Sequence, residues 1–185
     1  MKNKEILVPT IALFVICLAA TLLLSLTNAV TADRIDVVQK AAADRARLLV
    51  CPDAADFTEK EGYENAEVYE ALQADGTLSG YAVTTSGKSY GGTIEVMTGF
   101  DTEGRITGVQ ILTIEDTPGL GMNAKKETFR DQFNGRTAGD LTVSKTASLE
   151  TEVQAITGAT ITSTAVTKCV NEAYQAVFSG EGGQE

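Results

Sequence analysis

Gly92-Thr93-Ile94-Glu95-Val96-Met97-Thr98-Gly99-Phe100, then Asp101-Thr102-Glu103-Gly104, then Ile106-Thr107-Gly108-Val109-Gln110-Ile111-Leu112 read as strand, turn and strand. β-Branched and aromatic residues carry the two outer runs, and an acidic turn closed by glycine joins them. The pattern occurs once before, where residues 67–72 and 78–84 flank Asp75-Gly76, a hairpin signal. Two successive hairpins with helical patterns on either side predict an α+β domain: an antiparallel sheet with flanking helices, not a doubly wound sheet.

The helical pattern after the hairpins is the clearer one. In residues 165–178, Val166, Cys169, Val170, Ala173 and Val177 fall on one apolar stripe. Directly before it stands Thr157-Gly158-Ala159-Thr160-Ile161-Thr162-Ser163-Thr164. A helix start leaves backbone N–H groups unpaired, and its dipole favours negative charge there. Gly158 lets the backbone approach a ligand, and the threonine hydroxyls can donate to phosphate oxygens or carry a phosphoester. The same residues also read as an ordinary helix start with Thr162 or Ser163 as N-cap. Thr117-Pro118-Gly119-Leu120-Gly121-Met122-Asn123 is a second candidate loop. Its glycines let amides near a flat ligand while Leu120 covers the ligand's face, although a plain Pro-Gly turn looks alike.

At the other end, the run from Ile6 to Ala32 has no charged residue. Some 20 apolar residues cross a bilayer as a helix. A cleaved signal peptide is the rival, with Val30-Thr31-Ala32 as a small-residue site, but a signal's apolar region is typically about 7–15 residues. The run predicts a retained transmembrane helix over 6–30, with Pro9 in its first turn. Lys2 and Lys4 precede it and Asp33 follows, so residues 1–5 are expected in the cytoplasm and the rest on the extracytoplasmic side of the cell membrane. Residues 33–49 read as a further helix ended by Pro52, 53–66 as a loop or a weak turn of helix, and 179–185 as a disordered tail.

Composition excludes whole classes. The net charge of −10 and the lack of a basic stripe argue against nucleic acid as a partner. The absence of histidine removes a Ser-His-Asp triad, a His-bearing zinc site and an imidazole base. The cysteines, Cys17, Cys51 and Cys169, have no CxxC spacing; Cys169 lies on the apolar stripe, and whether Cys51 and Cys169 pair stays open.

Thr157-Gly158-Ala159-Thr160-Ile161-Thr162-Ser163 resembles the [Ser/Thr]-Gly-Ala-Thr-x-[Ser/Thr]-[Ser/Thr] motif of the FMN-binding domain family. Asp116-Thr117-Pro118-Gly119-Leu120-Gly121 resembles that family's Glu-Thr-Pro-Gly-Leu-Gly loop, with Asp116 for the usual glutamate and Ile114 where many members have histidine. Tyr90-Gly91-Gly92-Thr93-Ile94-Glu95-Val96 and Gly104-Arg105-Ile106-Thr107-Gly108-Val109 resemble its first hairpin. The resemblance covers residues 80–178, leaving 31–79 as a helical connector with the first strand elements.

The resemblance implies FMN esterified through its phosphate to the Thr160 hydroxyl by a separate flavin transferase. Thr157, Gly158, Ala159, Thr162 and Ser163 would surround the link, and Thr117, Gly119, Leu120 and Gly121 would lie by the flavin. The family pattern usually has an acidic residue six positions before the threonine, where this chain has Gln154. With its anchor and size the chain is similar to the G subunits of Rnf electron-transport complexes, and next to the C subunits of sodium-pumping NADH:quinone oxidoreductases. That implies a redox subunit, with other membrane subunits as partners, in a complex moving electrons between ferredoxin and NAD coupled to Na⁺ or H⁺ translocation. The rival readings are a stand-alone anchored flavoprotein serving another reductase and a tethered binding module without redox chemistry.

Overall fold

The computed structural model describes residues 2–63 and 65–179. It divides into two units, 1–42 and 43–185. The first unit is helix alone, the leading part of α1 (Lys2–Val50). Its stretch from Ile6 onward is long and apolar enough to cross a membrane. The hydroxyls of Thr10, Thr21 and Thr27 donate back to the carbonyls of Ile6, Cys17 and Leu23 at 2.7–2.8 Å, so these polar groups bring no unpaired donor to the span.

Two expectations change here. The helix does not break near residue 32 but runs unbroken to Val50, because neither glycine nor proline stands between Pro9 and Pro52. Helix begins at Lys2, so Pro9 lies inside it and not in the first turn.

The second unit is the α+β domain. Strands β1 (Asp56–Lys60), β2 (Ala66–Leu72), β3 (Leu78–Lys88), β4 (Thr93–Asp101) and β5 (Ile106–Ile114) form one antiparallel meander in sequence order. Both predicted hairpins are present, with Leu72 opposite Leu78 and Phe100 opposite Ile106. β1 corrects the loop expected within 53–66. It is a polar edge strand whose alternation is hidden, since only Phe57 turns inward and Lys60 pairs with Glu70 across the ladder at 2.9 Å. The boundary expected between 79 and 80 falls inside β3, and β1 and β2 belong to the same sheet as the later strands. The tail beyond Ser179 lies outside the described residues.

Alternation along the strands gives the sheet two buried faces. On one, Val83, Ile94, Val96, Phe100, Ile106 and Val109 pack against Val166, Cys169, Val170 and Ala173 of α3 (Thr160–Phe178). The stripe read from the sequence is therefore the inward side of α3. On the other face, Ala71, Ala82 and Met97 meet Ala46, Val50 and Cys51 at the end of α1. Gly99 and Gly108 are cross-strand partners there, and a side chain on Gly99 would overlap the Val50 carbonyl. Thr107 caps that carbonyl with its hydroxyl, and Arg47 lies 3.7 Å over the Tyr69 ring. Cys51 and Cys169 are both free, buried in separate clusters.

Between β5 and α3 the chain makes two 3-10 turns around the short helix α2 (Glu127–Arg130). It then forms two strands that the sequence reading did not contain, β6 (Thr142–Ser144) and β7 (Glu152–Gln154), paired in parallel. Arg136 donates to the carbonyls of Glu150 and Glu152 at 3.0 and 2.6 Å, and Gln132 exchanges hydrogen bonds with the Gln154 backbone. These bonds fix β7, which delivers the chain to the turn before α3.

Candidate functional site

Three segments meet above the α3 end of the sheet: the turn from β3 to β4, the loop after β5, and the turn into α3. Between them lies a cleft of about 480 Å³, lined by Tyr90, Asp116, Thr117, Leu120, Gly121, Gly158, Ala159, Thr160, Ile161 and Thr162. That is within the range of small-ligand sites. Both loops picked out in the sequence thus build a single site, although they are some forty residues apart along the chain.

The turn into α3 is shaped by Gly158 and Ser163. Gly158 has φ +79°, a left-handed conformation that side-chain-bearing residues rarely adopt. Ser163, fully buried, accepts from the Ile156 N–H and donates to the Ala159 carbonyl, both at 3.0 Å. The N-cap is Ala159, and no side chain caps the helix. This overturns the capping alternative for Thr162 and Ser163. Both lie inside the first turn, and their hydroxyls face inward because Asp116 and the Ile156–Ala159 turn supply their partners. Among the described residues, no hydrogen bond engages the backbone amides of Thr160, Ile161 or Thr162. A nineteen-residue helix therefore points unpaired donors and the positive end of its dipole at the cleft, with the exposed Thr160 at its first position.

Asp116 joins the three segments. Its carboxylate accepts from the Ser89 hydroxyl at 2.6 Å, from the Gly91 N–H at 2.6 Å and from the Thr162 hydroxyl. Burial pushes its pKa up, but the hydroxyls of Ser89 and Thr162 and the Gly91 amide outweigh that and hold the carboxyl below its usual value. Gly121 packs on the same group so closely that a Cβ would overlap the carboxylate and the Thr162 hydroxyl. The rim is apolar: Tyr90 is 73% exposed, Ile161 57% and Leu120 46%. A flat aromatic ligand with an anionic tail suits such a cleft, with the apolar rim for the ring and the helix start for the tail.

Of the residues predicted for the site, Thr117, Leu120, Gly121, Gly158, Ala159, Thr160 and Thr162 line the cleft. Thr157 and Gly119 are exposed beside it and not on its wall, and Ser163 lies behind it as a brace. Tyr90, Asp116 and Ile161 were not read as site residues; Asp116 was visible only as a change within the glycine loop. Lys125, Lys126 and Lys145, lysines with a charge to offer a phosphate, are exposed and not on the cleft wall.

Residues 89–175 match the FMN-binding domain family. The chain is 41% identical over 182 residues to the G subunit of the Na(+)-translocating ferredoxin:NAD(+) oxidoreductase complex of Acetobacterium woodii, covering 88% of this chain and 87% of that one. It is 41% identical over 141 residues to the G subunit of the proton-translocating complex of Clostridium ljungdahlii, covering 76% and 74%. The chain belongs to the FMN-binding domain family, among these G subunits. The fold is shared more widely. The crystal structure of the C subunit of the Na(+)-translocating NADH-quinone reductase from Parabacteroides distasonis superposes with a TM-score of 0.53 at 23% identity, covering 65% of this chain and just under two thirds, 64%, of that one. In this family member the matched segment starts at Ser89, so it takes in all three segments that build the cleft.

Proposed function

We propose that this chain is the G-type electron-transfer subunit of a membrane complex moving electrons between ferredoxin and NAD, coupled to Na⁺ or H⁺ translocation, and that Thr160 carries FMN as a phosphoester. The observation that supports it best is the meeting of the two family loops in one cleft, with Thr160 exposed at the start of α3 beside unpaired amide donors. FMN supplies the electron chemistry when bound. The protein's own work is to hold and shield it. The amides of Thr160, Ile161 and Thr162 would neutralise the phosphate, and Gly158 would let it come close. Leu120, Ile161 and Tyr90 would cover the ring, and an ester at Thr160 would fix the ring's distance from its redox neighbours and prevent its loss.

A flavin transferase would form the ester from an activated donor, a flavin dinucleotide. The Thr160 oxygen would bond to the flavin-bearing phosphorus as the P–O bond of the anhydride breaks, the mononucleotide would leave, and the hydroxyl proton would pass to solvent. The apolar part of α1 would anchor the chain as a single span. Lys2 and Lys4 before it favour a cytoplasmic N-terminus, which puts the flavin on the extracytoplasmic side. The other membrane subunits of the complex would be the electron partners.

Intact mass of the protein purified from its native host under denaturing conditions tests the reading. The expected gain is one FMN less one water, mapped to the peptide holding Thr160. Thr160→Ala should abolish it, whereas Thr157→Ala, off the cleft wall, should leave at least part of it. An unmodified mass from a host shown to contain the transferase would overturn covalent attachment.

A further inference from the structure

Among the described residues Asp116 is the one charged residue on the cleft wall, and it is 3% exposed. All of its hydrogen bonds come from donors, two hydroxyls and an amide, an arrangement that suits a carboxylate. Those donors sit in the β3–β4 turn and in the first turn of α3, which the sheet alone does not bring together. No ion pair of the described residues includes it. The site thus contains a fixed negative charge held by neutral dipoles only. Because Asp116 is itself buried, its charge is screened by water less than a surface charge is, and it acts more strongly on any other charge nearby.

We infer that Asp116 is the positioning residue of this site, drawing the Ser89–Gly91 turn and the start of α3 onto one carboxylate, and that its charge lowers the reduction potential of a flavin held there. The second clause rests on the flavin reading above; the first does not. Electrons entering the ring make it more negative, and a neighbouring carboxylate opposes that. The titratable groups on the elements packed around Asp116 are Lys88 and Tyr90 in the β3–β4 segment, Glu115 beside it and Lys125 after the glycine loop; the first two turns of α3 have none.

The test uses the full chain in detergent, made beside a flavin transferase, as wild type, Asp116→Asn and Asp116→Glu. Mass first establishes whether FMN is attached. Where it is, Asp116→Asn should shift the midpoint potential to more positive values, and Asp116→Glu should return it toward wild type. An unmoved potential in Asp116→Asn, or an equal shift in both variants, overturns the charge effect while leaving the flavin reading intact.

The positioning clause is read without flavin, in the Thr160→Ala background. Hydrogen exchange at the Gly91 amide should quicken at least about tenfold when Asp116→Asn weakens its acceptor, and unchanged exchange overturns the clause. Should Asp116→Asn fail to fold, Ser89→Ala takes its place. It keeps the charge but removes a donor that holds the carboxyl ionised, so the potential should rise more steeply on acidification than in wild type. Identical pH profiles would then overturn the charge effect.

Discussion

The two faces of the sheet are built on opposite packing strategies. The α3 face fills its space with side chains: Phe100 makes edge-to-face contacts with Tyr174 and Phe178 at centroid separations of 6.0 and 5.7 Å, and Ile94, Val96 and Ile106 complete the layer. The α1 face removes side chains instead. Gly99 opposite Gly108 opens a notch in which the Val50 backbone sits on the sheet, with small Ala71 and Ala82 around it. The difference matches what each face holds. The α3 face supports the cleft, where a helix start must be held rigidly, and rigidity comes from interlocking volume. The α1 face receives the end of a helix whose last carbonyls need partners, so close approach of backbone matters more than volume.

The largest test of that contrast is Phe100→Ala, expected to cost about 3–5 kcal/mol in denaturant unfolding because a fully buried ring is replaced by a cavity. A cost near that of a surface change would mean the α3 face is not volume-packed. Gly99→Ala should cost less, about 1–3 kcal/mol, by pressing a methyl group into the Val50 carbonyl and the Thr107 hydroxyl. If adding a methyl there is neutral in the same unfolding experiment, the notch is slack.

Acid sharpens the comparison further, since Asp116 serves the α3 side alone. Its folded carboxyl titrates below the unfolded value of about 3.9, so its stabilisation is complete above that pH and is lost as pH falls through the lower folded value. As pH falls below about 4, wild type should lose more stability than Asp116→Asn; parallel losses would contradict the depressed pKa. The smallest effect is of opposite sign. The Thr98 hydroxyl, buried on the α3 face, has no hydrogen-bond partner among the described residues, and Thr98→Val should gain about 1 kcal/mol.

The parts legible in the sequence were those with a strong period or a tight turn. Val166, Cys169, Val170 and Ala173 announced the buried side of α3, and Asp75-Gly76 and the Asp101–Gly104 turn announced their hairpins. Thr160 and the glycine loop were legible as family motifs. What escaped depended on partners distant in the chain. β1 owes its existence to pairing with β2, as its polar residues show no inward side beyond Phe57. Parallel β6 and β7 are too short to carry a period, and they rely on Arg136 and Gln132 for their register. Asp116 looked like a conservative change in a loop, because the Ser89, Gly91 and Thr162 that give it meaning lie 27, 25 and 46 residues away.

The unpaired thiols allow the two faces to be timed separately. Cys51 belongs to the α1 face and Cys169 to the α3 face, and burial pushes their pKa values up to about 12 and about 11. Only the thiolate reacts with an alkylating reagent, so neither sulfur is attacked until its own face opens. Counting alkylation at each position by mass would convert the pair into two clocks, one for the seat of α1 and one for the wall behind the cleft.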